Sequence, residues 1–142
     1  MAAPTPQKSI VLILARELAS KLATAMFIVD PDGRLVFFNE PAEFILGRTF
    51  AEAGELSREE WGLEFKPRHD DGTPLEIDEL PMTWALMKHQ PAHRQFFITG
   101  YDGVERRLSV TAFPLFARQQ EFVGAVAIFW EERNDPAPGE AS

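Results

Sequence analysis

Hydrophobic positions change their period several times along the chain, and each change marks an element. Over residues 9–22, Ile10, Leu14, Leu18 and Leu22 recur every four residues, and Val11 and Ala15 widen the stripe. Arg16, Glu17, Ser20 and Lys21 take the other side. This spacing predicts an amphipathic helix, with Ser9 placed to cap it. Residues 26–29 (MFIV) form a short apolar run that meets Asp30-Pro31-Asp32-Gly33. Pro presets φ there and Gly allows φ > 0, so the quartet predicts a turn, and residues 35–38 (LVFF) form the second arm of a hairpin.

Asn39 is a good N-cap for a helix over 40–46, with Pro41 in its first turn and Gly47 positioned to close it in the left-handed conformation. Residues 48–73 lose periodicity. Gly54, Gly62, Pro67 and Gly72 divide them into short turns, with one helical turn predicted over 57–61. Asp78 is expected to cap a further helix that has Pro81 in its first turn and runs to Lys88. Strands are predicted over 94–99, over 105–113 where Pro114 stops the run, and over 122–130. Helices grouped between two runs of strands predict an α+β fold with an antiparallel sheet.

The last strand, FVGAVAIFW, is apolar at both parities. A sheet with one wet face alternates, and this strand does not, so both of its faces must be covered. The short helices can cover one. The N-terminal helix or a second copy of the chain is the natural cover for the other.

Composition sharpens this picture. The 142 residues suit one domain over 23–133, preceded by the helix within 8–22 and flanked by small, Pro-rich tails at 1–7 and 134–142. The net charge of −8, with no cluster of Lys and Arg, excludes phosphate recognition of the kind nucleic-acid binding needs. Twelve Phe against one Tyr point to a dry core or an apolar cavity. The absence of cysteine removes disulfides, thiolate nucleophiles and Cys metal sites, and fits a reducing, cytoplasmic setting. The apolar run over 10–15 is too short to span a membrane.

Four segments in this order resemble the PAS domain family. Residues 39–48 (NEPAEFILGR) are similar to the segment in which the second strand feeds a helix that closes on Leu-Gly. Residues 71–75 (DGTPL) and 78–81 (DELP) are similar to the lead-in to the PAS F-helix. Residues 101–103 (YDG) with 107–110 (RLSV) and 112–115 (AFPL) resemble its G–H hairpin, and 123–126 (VGAV) its last strand. The resemblance covers about residues 22–132. It implies a five-stranded antiparallel sheet with small helices on one face, a small molecule held between them, an N-terminal helix that pairs with a second copy, and a role as a sensing and dimerisation module acting on a signalling partner.

Carried onto this sequence, the resemblance implies a ligand pocket formed by Phe27, Val29, Leu35, Phe37, Phe44, Met82, Trp84, Leu86, Phe96, Ile98, Leu108, Val110, Val126 and Ile128. It implies a dimer interface formed by Ile10, Leu14, Leu18, Leu22, Ile28, Phe97, Ala127 and Phe129. The pocket residues are almost all apolar, so any ligand is expected to be apolar, such as an acyl chain. Covalent flavin or chromophore chemistry needs a Cys this chain lacks. Non-covalent flavin is disfavoured because polar inward residues are scarce. His89, at the end of the F-helix, is the one candidate haem ligand, against the plain reading of a His favoured by the helix macrodipole. His69 and His93 read as loop residues. No ligand spacing for a metal is present, and no nucleophile motif or convincing carboxylate pair. The competing reading is a small α+β cone-fold enzyme of the isomerase or dehydratase type, which requires an inward His and Asp pair.

Overall fold

The computed structural model describes residues 6–132. The expected tails lie outside the described residues, except that Pro6 and Gln7 are already helical. Helix α1 spans Pro6–Ala19, so position 9, the expected cap, falls within the helix, and the helix ends three residues before Leu22. Strands β1 (Ala25–Val29) and β2 (Leu35–Phe38) follow. Helices α2 (Glu40–Leu46), α3 (Phe50–Ala53), α4 (Arg58–Glu64) and α5 (Pro81–Lys88) come next. Strands β3 (Ala92–Thr99), β4 (Glu105–Phe116) and β5 (Phe122–Glu131) complete the chain.

The five strands form one sheet in the order β2-β1-β5-β4-β3, with every neighbouring pair antiparallel. The α+β expectation holds. Helices α2 to α5 pack on one face, which we call inner, over Phe27, Val29, Leu35, Phe38, Phe96, Ile98, Leu108, Val110 and Ala112. Helix α1 covers part of the outer face by setting Leu12, Ala15 and Ala19 against Met26, Ile28 and Val126. The Arg16 guanidinium closes over the Phe37 ring, 4.7 Å from its centroid.

Local chemistry accounts for most element ends. Asn39 caps α2 by accepting from the Ala42 N–H, and Gly47 ends the helix with φ 81°. Thr49–Glu52 and Ser57–Glu60 form reciprocal capping boxes on α3 and α4. Helix α4 is two turns long, longer than the single turn expected. Asp78 lies in a 3₁₀ turn, Ile77–Glu79, and Leu80 takes the N-cap position of α5. Pro114 does not stop β4. It pairs with Ala125 beyond Ala112, the last β4 residue that β3 reaches. Its missing N–H therefore faces an open edge, where proline is tolerated.

The facing of β5 differs from the sequence reading. Phe27 pairs with Ala127 and Met26 with Ile128. Directly paired residues share a face, so Ala125, Ala127 and Phe129 point inward while Val126 and Ile128 point out, beneath α1. A slip of one residue flips a whole strand, and a strand apolar at both parities carries no signal to prevent it. In β2 a bulge sets Val29 opposite Leu35 but Ile28 opposite Phe37. The extra residue sends Phe38 inward and turns Phe37 outward, away from the pocket to which it was assigned.

Candidate functional site: an apolar cavity beneath the helical layer

Between the inner sheet face and the helices lies a cavity of about 80 Å³. Phe27, Phe96, Ile98, Leu108, Val110, Ala127 and Phe129 form its floor. Leu46, Trp61, Phe65, Pro67, Leu80, Pro81 and Met82 form its roof and walls. The alanine at 127 leaves room where a larger side chain would fill the space. The one polar atom on a lining side chain is the Trp61 Nε1, and it is occupied, donating to the Gly33 carbonyl at 2.7 Å. The Trp61 ring packs edge-on to Phe27 at 5.9 Å, so it serves both the wall and the tie to the β1–β2 turn.

One wall has a polar backing. Tyr101 packs edge-on against Phe65 at 5.2 Å, and the Arg48 guanidinium covers its other side at 4.1 Å. Burial, with the Glu64 carboxylate's negative charge nearby, pushes the Tyr101 phenol up to about 12. A raised acid stabilises the fold fully below its unfolded value of 10.0, and that contribution is lost as pH rises through 12. Tyr101 is the only tyrosine in the chain. Tyrosinate absorbance should therefore follow a single titration, displaced upward in the native protein and returning to the ordinary value in denaturant. Coincident native and denatured curves would contradict this packing.

Six residues assigned to the pocket from sequence meet around the cavity: Phe27, Met82, Phe96, Ile98, Leu108 and Val110. Val29, Leu35 and Leu86 belong to the same buried layer but do not line it. Five others are elsewhere. Phe37, Val126 and Ile128 are on the outer face, by the bulge and the strand parity described above. Phe44 is 82% exposed on α2 and Trp84 43% exposed on α5, each on the solvent side of its helix. Leu46, Phe65, Pro67, Leu80 and Pro81 were missed. The signal available was the i, i+4 pairing of Trp61 with Phe65 inside a stretch read as irregular.

The interface set also divides. Ile10, Leu14 and Leu18 are more than half exposed. Leu22 and Ile28 are instead packed into the outer cluster, Ile28 fully buried beneath α1. Ala127 and Phe129 line the cavity, and Phe97 is half-buried on β3.

The histidines do not serve the cavity. His89 is the left-handed C-cap of α5, exposed, with its ring stacked on Phe122 at 4.0 Å. A haem in the cavity could not take it as axial ligand. His69 lies 3.2 Å from Glu79 on the surface. His93 is a β3 residue, not a loop residue, and its Nδ1 lies 2.7 Å from the Thr111 hydroxyl on the outer face. No His and Asp pair enters the cavity, which removes the arrangement a cone-fold enzyme needs. Flavin does not fit either, because its ring edge requires donors and acceptors and the lining supplies none that is free. Among the described residues, no three His, Asp or Glu side chains gather as metal ligands, and no helix is long and apolar enough to cross a membrane.

Comparison with known proteins places this arrangement. No protein-family model matches the sequence, and no curated protein matches it. Solved structures do match in fold. The PAS domain of a protein from Colwellia psychrerythraea superposes with a TM-score of 0.60 at 15% identity, covering 86% of this chain and 97% of that one. The PAS domain of nitrogen regulation protein NR(II) from Vibrio parahaemolyticus gives 0.58 at 17%, covering 84% and 98%. The Rhodobacter sphaeroides LOV protein gives 0.70 at 14%, covering 93% and 73%. Identities this low speak for the fold alone, and on that ground the chain folds as a PAS domain.

Proposed function

We propose that the chain is a non-catalytic sensing module that takes a small apolar molecule into the cavity and works as a homodimer through α1, relaying the occupied state to a signalling partner. The observation that carries this reading is the cavity itself: lined by fourteen residues, with no free hydrogen-bonding group on any lining side chain. A polar ligand there loses water hydrogen bonds without replacement, at ~1–3 kcal/mol per group, whereas each buried CH₂ contributes ~0.8 kcal/mol. The volume limits the ligand. An engineered cavity of roughly 150 Å³ holds one benzene, so about 80 Å³ suits a few heavy atoms and not a long acyl chain. Met82 is the adaptable wall, since its unbranched thioether can shift to admit more.

Dimerisation is argued from the other side of the sheet. With α1 docked, Ile10, Ile13, Leu14 and Leu18 remain 52–62% exposed along one helix. A contiguous apolar stripe of this kind on a soluble domain marks an interface, and a second α1 supplies a matching one.

The purified protein should be colourless, with native mass spectrometry showing the chain mass plus a small, organic-extractable adduct. A haem or flavin absorption band that survives gel filtration would contradict the reading.

A further inference from the structure

The cavity is closed on one side by a single short helix, and that helix is attached mainly at its ends. Leu56, just before α4, accepts from the Leu35 N–H at 2.7 Å, on the β2 edge of the sheet. Phe65, just after it, accepts from the Thr99 N–H at 2.8 Å, on the β3 edge. Helix α4 therefore runs as a strap from one sheet edge to the other, with Trp61 and Phe65 facing the cavity. Between the anchors its polar ties to the body are few. Trp61 Nε1 donates to the Gly33 carbonyl at 2.7 Å, and the Arg58 guanidinium lies 3.5 Å from the Met87 sulfur. Gly62 sits where the Ile77 side chain leaves no room for a Cβ.

The energetics favour an opening confined to this segment. Trp61 and Gly62 are the buried residues of α4, and Leu63 is 64% exposed. Two turns of helix are far below the length that is stable alone, so α4 depends on its ties. Lys66, directly beyond, holds φ at 50°, a left-handed conformation that disfavours a side chain. By contrast, α5 buries Met82, Ala85 and Leu86 against the sheet. Local opening follows the regions with least buried apolar contact.

We propose that α4 opens as a unit while the sheet and α5 stay folded, and that this opening is how the cavity exchanges its contents with solvent. The proposal deepens the sensing reading by assigning the route of entry, but the strap's motion is testable with no ligand present. The reporter is the Trp61 indole N–H, which is hydrogen-bonded to Gly33 and buried while the strap is closed.

Hydrogen exchange followed by NMR on the intact chain should give that proton a protection factor at least about tenfold below those of the β5 amides. Arg58→Ala removes the contact of the strap with the Met87 sulfur. It should lower Trp61 indole protection severalfold while β5 amides keep theirs. Gly62→Ala, which pushes α4 off Ile77, should act in the same direction. The proposal is overturned if the wild-type indole proton exchanges only with global unfolding, or if both variants lower the protection of Trp61 and β5 together. A cavity that refuses an apolar probe while the strap still opens would overturn the sensing reading and the strap's role in entry together, whereas a probe that binds while the indole proton exchanges only with global unfolding would overturn the strap alone.

Discussion

Asn39→Ala should cost about 3–5 kcal/mol of stability, the largest single-residue effect expected on this fold. Asn39 is 1% exposed, and its amide makes four hydrogen bonds. Its oxygen accepts from the Met26 N–H at 2.9 Å and the Ala42 N–H at 3.2 Å. Its nitrogen donates to the Ala19 and Thr24 carbonyls, both at 2.9 Å. One side chain thus joins the end of α1, the start of β1 and the cap of α2. Alanine leaves the Met26 and Ala42 N–H groups buried without this partner, at ~1–3 kcal/mol each before water or relaxation recovers part of it, whereas the Ala19 carbonyl keeps the Leu22 N–H at 3.2 Å and Thr24 is exposed. Typical domains have only 5–15 kcal/mol in total, so chemical denaturation should show a marginal protein. Asn39→Asp should be no milder at neutral pH, because it sets a carboxylate against two carbonyls. It should recover partly on acidification, when the protonated acid can donate to one of them. A loss below about 1 kcal/mol for Asn39→Ala would mean the junction is not formed as described.

Leu14→Asp with Leu18→Asp should convert a dimer into a folded monomer. Both side chains are more than half exposed on α1, so the monomer loses little, within the ~0.5 kcal/mol usual for surface positions. Burying two leucines in an interface is worth roughly 3–6 kcal/mol per protomer, which makes the affinity loss about 10²-fold or greater. Sedimentation should show the variant as a monomer, still folded cooperatively, with a melting temperature lowered only by the loss of dimer coupling and independent of protein concentration. A wild-type chain that is monomeric at tens of micromolar, or a variant that stays dimeric, would remove α1 from the interface.

Most of the fold is legible in the sequence wherever one residue type has one physical use. The Asp30-Pro31-Asp32-Gly33 turn, the Asn39 cap and the Gly47 stop fall where steric and hydrogen-bonding rules put them. The inner faces of β3 and β4 are legible because Phe96, Ile98, Leu108 and Val110 alternate with polar or half-buried residues. The β5 facing is not legible, because alternation is absent when helices cover both sides. Only the pairing of Phe27 with Ala127 fixes it, and pairing is a property of the assembled sheet. The same cause misplaces both sites, since Val126 and Ile128 exchange roles with Ala127 and Phe129. The far wall of the cavity is obscured for another reason. Leu46, Phe65 with Pro67, and Leu80 come from three separate segments, and beyond the spacing of Trp61 and Phe65 their convergence has no periodic signature.

If the chain senses through this cavity, a small apolar molecule enters on the inner face of the sheet and not beneath α1 on the outer face. Methyl NMR under xenon pressure tests it most directly, because xenon is apolar, small enough for about 80 Å³ and free of hydrogen-bonding demands. Saturable shifts are expected at Met82, Ile98, Leu108, Val110 and Ala127, with Val126 and Ile128, across the sheet beneath α1, unmoved. Absence of saturable shifts, or shifts centred on Val126 and Ile128, would contradict it.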